Sequence, residues 1–330
     1  MFSLGLIGYP LSYSISPQIH QAALDAMGLL GDYLLFPVPP IPQGVKILQD
    51  LLRHVREGDL KGLNVTIPHK QTVIPYLDDL TPTARAVGAV NTIFLQGGNL
   101  VGDNTDMKGF LVDLENFIKD SIGGEKKNSK EAGNTQGGAL ILGAGGAARA
   151  VAYALFTTGW DVILAARRLE QAQEVITRLK LTTRKVQLSD HNLNSKQLVD
   201  QFTTYKNNTL AVTLDQLSIS NLYKETYNQE RRIIINTTPV GTWPQVTLSP
   251  WPVGTTFPEG TFIYDLIYNP TETELMRQAR LLNLPTTNGL GLLIEQAALS
   301  LEIWTDRIAP RQYMWQAACK NSGLIYQNAA

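Results

Sequence analysis

Ala139-Leu140-Ile141-Leu142-Gly143-Ala144-Gly145-Gly146-Ala147-Ala148 reads as a buried strand running through a glycine turn into a helix. Four consecutive apolar residues suit a strand covered on both faces. Gly143 permits the tight turn, and Gly145 lets the backbone approach a pyrophosphate, whose charge the helix N-terminus then meets. Ala148 fills the third glycine position, an accepted variant. The helical pattern runs through Phe156, and Asp161 to Ala166 is the next strand, so the succession is a βαβ unit. A Gly/Ala-rich turn without a ligand would show the same glycines; the strand on each side favours the dinucleotide reading and an α/β fold.

The end of that second strand bears on the choice of cofactor. An NAD site expects an acidic residue there to bind the ribose hydroxyls. The chain reads Ala165-Ala166-Arg167-Arg168 instead. Two arginines suit a ribose 2′-phosphate through charge-assisted, bidentate contacts, so NADP is favoured over NAD.

Outward on the N-terminal side, Ser121 to Gly138 is rich in Gly, Asn, Ser, Lys and Glu and reads as a linker or surface loop, a candidate domain boundary. Before it stands Asn64-Val65-Thr66-Ile67-Pro68-His69-Lys70. This is a short strand stopped by a proline that has no N–H to give. Its end places Thr66 and Lys70 at the lip of a sheet, where open α/β folds hold ligands. A lysine there can exchange a proton with a reacting oxygen when desolvated or paired with a charge. Asp106 is a natural partner for it, and its position also suits a cap on a helix starting at Met107. Ser14 and Ser16 lie at a helix N-terminus, with Ser16 placed as N-cap and Pro17 as first helical residue; hydroxyls and N–H groups there favour an anion such as a carboxylate. Asn91 and Thr92 can bond ring hydroxyls or serve a turn. Tyr268 and Gln296 are polar groups on later elements that can reach back. Gln96-Gly97-Gly98-Asn99 is a hairpin turn. Residues from about Leu181 to Glu230 are Asn-, Gln-, Thr- and Ser-rich and carry no motif.

With 330 residues, 44% apolar and 17% charged, the chain can build two domains with real cores. A net charge of −1 argues against nucleic acid and against an anionic membrane surface. The single cysteine, Cys319, excludes an internal disulfide; it points to a reducing compartment and is read as a small packing residue. The first residues, Met1 to Gly8, have no basic n-region and run into a strand, so a secretion signal is not expected and a cytoplasmic location is. Arg149 and Glu295 interrupt the most apolar segments too early for a membrane span. The four histidines and one cysteine are widely scattered and show no zinc-type ligand spacing.

Taken together these residues resemble the shikimate dehydrogenase family. The matching stretches are Gly8-x-Pro10-(x)3-Ser14-x-Ser16-Pro17-(x)2-His20, Asn64-Val-Thr-x-Pro-x-Lys70, Gly88-Ala-Val-Asn-Thr92, Asn104-Thr-Asp106 and Gly143-Ala-Gly-Gly-Ala147. Then come Ile235-Asn-Thr-Thr-Pro-Val-Gly241, Tyr264-Asp265-(x)2-Tyr268-x-Pro270-(x)2-Thr273 and Gly289-Leu-Gly-(x)4-Gln296. The resemblance implies NADPH-dependent reduction of 3-dehydroshikimate to shikimate, on the way to aromatic amino acids. It implies that Lys70 and Asp106 are the catalytic pair and that Ser14 and Ser16 bind the substrate carboxylate. Thr66, Asn91, Asp106, Tyr268 and Gln296 then bind hydroxyls or hold the ring. Gly143, Ala144, Gly145, Gly146, Ala147, Arg167, Arg168, Leu266 and Gly289 then line the cofactor. The implied architecture is a substrate domain over 1–120 and 288–330, a linker over 121–138, and a Rossmann-type NADP domain over 139–287 with an insertion around 181–230. The active site is then the cleft between domains, and the chain works as a monomer or homodimer.

Departures from the family pattern are Ala166, where an asparagine is common, and Thr242 and Leu292, where methionine is frequent. Two alternatives share the fold: a quinate/shikimate dehydrogenase using NAD or NADP, and a ligand-binding homologue without catalysis. The serine pair and Arg167 with Arg168 argue against the first, and Lys70 with Asp106 against the second.

Overall fold

The computed structural model describes residues 2–122, 137–181, 209–214, 217 and 232–322, without the side chains of 321 and 322. Most of the segments 121–138 and 181–230, read as linker and insertion, lie outside the described residues. The chain divides into two units, Met1–Val112 with Gly291–Ala330, and Asp113–Leu290.

The first unit is built on a mixed sheet. Its strands are β1 (Phe2–Gly8), β2 (Gly31–Pro37), β3 (Gly62–Val65), β4 (Asp79–Leu80), β5 (Thr92–Gln96) and β6 (Asn99–Asp103), in the order β2-β1-β3-β5-β6-β4. β1 runs parallel to β2 and β3, whereas β5 is antiparallel to both β3 and β6. The β5–β6 hairpin turns through Gly97 and Gly98, both at positive φ, as a tight two-residue connection requires. The helices are α1 (Ser16–Ala26), α2 (Val45–Glu57), α3 (His69–Thr72), α4 (Pro82–Val87) and the start of α5 (Thr105–Ser121).

Strand periodicity gives this sheet two different faces. Leu63, Val65, Ile7 and Ile93 pack with Leu48, Leu51, Leu52 and Val55 of α2 in one apolar core. The opposite face carries Gly62, Asn64, Thr92 and Tyr33. Against it lie His20 of α1, stacked on Tyr33, and a late helix, α9 (Leu290–Thr305), whose Trp304 donates its indole N–H to the Ile93 carbonyl at 3.0 Å. A Cβ on Gly62 would fall 1.9 Å from Trp304 Nε1, so glycine is what lets α9 approach. α10 (Arg311–Ser322) closes the unit, with Cys319 buried.

The second unit is a parallel sheet of β7 (Gly138–Leu142), β8 (Asp161–Ala166), β9 (Thr209–Thr213), β10 (Arg232–Asn236), β11 (Thr261–Asp265) and β12 (Thr286–Thr287). The order β9-β8-β7-β10-β11-β12 steps outward in both directions from the first strand, the doubly wound pattern of dinucleotide-binding folds. The α/β expectation therefore holds. β7 and β8 are buried along their whole length, as the apolar runs require. α6 (Gly146–Thr157), α7 (Leu169–Arg178) and α8 (Glu274–Arg280) accompany the sheet. β9 is a strand inside the region that carries no motif, and it takes in Val212 and Thr213 of an apolar fragment there. No helix among the described residues is long and apolar enough to cross a membrane.

Candidate active site

The topology of the first sheet gathers the candidate residues at one end. β1, β3 and β6 stop there and the antiparallel β5 starts there, with Ile7 paired to Val65, Asn64 to Thr92 and Thr92 to Asp103. The segments leaving or entering that end carry Ser14 and Ser16, Thr66 and Lys70, Asn91, and Asp106.

Lys70 lies in α3, whose backbone is tied down by Val90 N–H donating to the Lys70 carbonyl at 2.7 Å. Its ammonium donates to Asp106 Oδ2 at 2.7 Å, with the two side chains 20% and 13% exposed. Asn91 Nδ2 donates to the other oxygen, Oδ1, at 2.9 Å. The Asn91 amide has a fixed sense, because its Oδ1 accepts the Thr105 backbone N–H at 2.8 Å and a backbone N–H only donates. The carboxylate is thus held from two sides.

Asp106 is not the helix cap that its position suggested. α5 begins at Thr105, and Asn104 Oδ1 accepts the Met107 N–H at 3.2 Å, leaving Asp106 free in the first turn. Nor is Ser16 a cap: α1 begins with Ser16, its N-cap is Ile15, and Ser14 Oγ accepts the Ser16 N–H at 3.3 Å. The two serine hydroxyls stand 3.2 Å apart. Thr66 is half-buried just beyond β3, packed beside Gly8.

Below the Lys70–Asp106 pair runs a buried polar network that sequence reasoning did not assemble. Asn64 Nδ2 donates to the Asn91 carbonyl at 3.0 Å and to Ser300 Oγ at 2.9 Å, and its Oδ1 accepts the Tyr33 hydroxyl at 2.8 Å. Thr105 Oγ1 donates to the Gln296 carbonyl at 3.0 Å, and Asn91 Nδ2 reaches Gln296 Oε1 at 3.3 Å. Tyr33, Asn64, Thr105 and Ser300 were the members not singled out as site residues. Asn64 and Thr105 sit inside quoted motifs, whereas Ser300 is a lone hydroxyl flanked by Ala297, Ala298, Leu299 and Leu301.

Tyr268, Leu266 and Gly289 belong to the second unit. Burial pushes the Tyr268 phenol up. A Cβ on Gly289 would fall 2.0 Å from the Leu266 carbonyl oxygen, so the close backbone approach demands glycine. The neighbouring Asp265 is fully buried and receives Thr273 Oγ1 at 2.7 Å, Asn236 Nδ2 at 2.9 Å and the Ile267 N–H at 3.0 Å. Burial nevertheless lifts its carboxyl to about 6.

The glycine turn of this unit fits a dinucleotide. Gly143 has φ +117°, and a Cβ there would fall 2.6 Å from Thr237 Oγ1. At Gly145 and Gly146, which with Ala144 and Ala147 form the mouth of α6, a Cβ would meet nothing within 4 Å. Open space in front of a helix N-terminus is what a pyrophosphate needs. Arg167 and Arg168 follow β8, exposed and without an ion-pair partner among the described residues. Among those same residues one trio, His54, Glu57 and Asp59, puts ligand-type atoms within 4.8 Å of one another, at the solvent-facing end of α2.

Residues 6–93 match the family model of the shikimate dehydrogenase substrate binding domain, and residues 289–319 match that of the shikimate 5′-dehydrogenase C-terminal domain. A shikimate dehydrogenase (NADP(+)) of Symbiobacterium thermophilum is 36% identical over 319 residues, 96% of this chain and 92% of its own. One of Salinibacter ruber is 35% identical over 315 residues, 94% of this chain and 95% of its own. The crystal structure of the Thermus thermophilus shikimate 5-dehydrogenase with NADP(H) and shikimate is 30% identical, with a TM-score of 0.72 over 97% of this chain and 100% of that one. On this likeness in sequence and fold along nearly its whole length, the chain belongs to the shikimate dehydrogenase family.

Proposed function

We propose that this chain is an NADP-dependent shikimate dehydrogenase, reversibly reducing 3-dehydroshikimate to shikimate in aromatic amino acid biosynthesis. The observation that carries this reading is the Lys70–Asp106 pair at 2.7 Å, with Asn91 on the second carboxylate oxygen, in a chain of this family. Lys70 is the proton carrier. In the reductive direction its ammonium gives a proton to the ketone oxygen while the carbonyl π bond is replaced by C–H and O–H bonds. NADPH, when bound, would supply the hydride that the carbonyl carbon takes up. Asp106 orients the ammonium and accepts from a neighbouring substrate hydroxyl, Asn91 and Gln296 hold ring hydroxyls, and Ser14 and Ser16 take the carboxylate. Thr66 and Tyr268 complete the ring contacts. Gly143 to Ala147 would cradle the pyrophosphate, Arg167 and Arg168 would hold the 2′-phosphate, and Leu266 and Gly289 would line the cofactor. The enzyme is cytoplasmic and works as a monomer or homodimer, which light scattering distinguishes.

Initial rates with shikimate and quinate, each with NADP and NAD, test the assignment. Shikimate with NADP is expected to be the best pair, and a preference for quinate with NAD overturns it. Lys70→Ala is expected to lower kcat by about 10²–10⁴-fold while shikimate binding persists. Near-normal turnover in that variant removes the lysine from the mechanism.

A further inference from the structure

Ser300 lies one helical turn beyond Gln296 on α9 and is fully buried. Four polar atoms surround its hydroxyl: the Gln296 carbonyl and Asn64 Nδ2 at 2.9 Å, Thr92 Oγ1 at 2.8 Å and Thr105 Oγ1 at 3.2 Å. A serine hydroxyl has one proton and two lone pairs, so it serves at most three of the four. Asn64 Nδ2 only donates, which fixes one lone pair. Thr92 Oγ1 is also 3.0 Å from Asn91 Oδ1. The hydroxyls of Ser300 and Thr92 therefore stand in a continuous line of contacts that ends at the amide holding Asp106, whichever of the two donates to the other. Asn64 and Thr92 are paired residues of β3 and β5, so this one hydroxyl also pins α9 to the two strands that end beneath the site.

We infer that Ser300 is a positioning residue for Asp106, acting through Thr92 and the Asn91 amide. This rests on the proposed dehydrogenase activity. An ordinary packing serine could be replaced by alanine at no catalytic cost, and alanine is the better helix former. Here the replacement leaves a methyl group facing Asn64 Nδ2 and Thr92 Oγ1, and besides the Asn91 carbonyl the acceptor left within reach of Asn64 Nδ2 is Thr92 Oγ1 itself, at 3.3 Å. Those groups then compete for the atoms that orient Asn91, and the carboxylate beside Lys70 loses its fixed direction.

The test is a double-mutant cycle with Ser300→Ala and Thr92→Val, plus Ser300→Cys, which keeps the volume but only a weak hydrogen-bonding group. Each single variant is expected to lower kcat for shikimate oxidation by about three- to tenfold, with KM for NADP within about twofold of wild type. The double variant is expected to be no slower than the worse single one. Single-variant kcat values within twofold of wild type, or losses that multiply in the double variant, or a matching rise in KM for NADP, overturn the inference. Should Ser300→Ala not fold, Thr92→Val and Ser300→Cys decide by the same criterion. A wild-type protein inactive with shikimate and NADP would instead refute the assignment of function, before any variant is compared.

Discussion

Asn91 illustrates how a neutral side chain acquires a direction. Its carbonyl end is claimed by a backbone N–H, so its amino end faces Asp106, and no charge is spent on the arrangement. The same reasoning explains what the sequence could and could not show at this scale. Lys70 and Asp106 were legible as a pair of complementary chemistries near two strand ends. The capping roles were misplaced by one or two residues, because Asn104, Thr105 and Asp106 are all good caps and only the geometry selects Asn104. Ser300 was illegible, since its side-chain partners Asn64, Thr92 and Thr105 stand more than 190 positions away in the chain.

His20 is the other single residue with a measurable consequence. It is fully buried and stacked on Tyr33 at 4.1 Å, and burial drives its imidazole down to about 3. The unfolded chain takes up the proton near pH 6.5, and the folded chain resists it until about 3. Stability from this site is therefore whole above pH 6.5 and is lost as pH falls toward 3, by a few kcal/mol in order of magnitude. Chemical denaturation of wild type and His20→Phe at pH 7 and pH 4.5 checks it. The wild type is expected to lose about 1–3 kcal/mol more than the variant between those values. Equal losses would remove His20 from the acid sensitivity.

At the scale of elements, α5 depends on its cap. Asn104 accepts from Met107 N–H, and its own amide donates to the Ala89 carbonyl at 3.0 Å. Asn104→Ala is expected to cost about 1–2 kcal/mol in denaturant unfolding, and a change under about 0.3 kcal/mol would show that the first turn is held otherwise. Sequence patterns located the strand and helix on either side of the glycine turn, and β8 at its full extent. β9, Thr-Leu-Ala-Val-Thr, was not placed because it lies within a polar stretch, and among the described residues the strand it pairs with is β8.

At the scale of the molecule, the two sheets divide the chemistry. All the proposed substrate groups but Tyr268 belong to the unit of the mixed sheet, and the glycine turn and arginine pair belong to that of the parallel one. Replacing Arg167 and Arg168 together with alanine is expected to raise KM for NADP about tenfold or more and to leave KM for shikimate unchanged. A rise in both constants would argue against a 2′-phosphate role. The parallel sheet was legible from one strand–turn–helix succession. The return of the last helices to the first unit was not, since nothing local in Leu290 to Thr305 states which sheet they cover; only the likeness to a family suggested it.

The polar face of β3 and β5 is covered by α9, and α9 is encoded after the whole second unit. On a translating ribosome the early strands must therefore wait. At about 5–20 residues per second, roughly 10–40 s separate the synthesis of Val112 from that of Gly291. Throughout that interval Asn64 and Thr92 lack Ser300, and Gly62 lacks its indole lid. The nascent first unit is a half-covered sheet, and the residues that finish its active end are also those that end its exposure to chaperones and proteases.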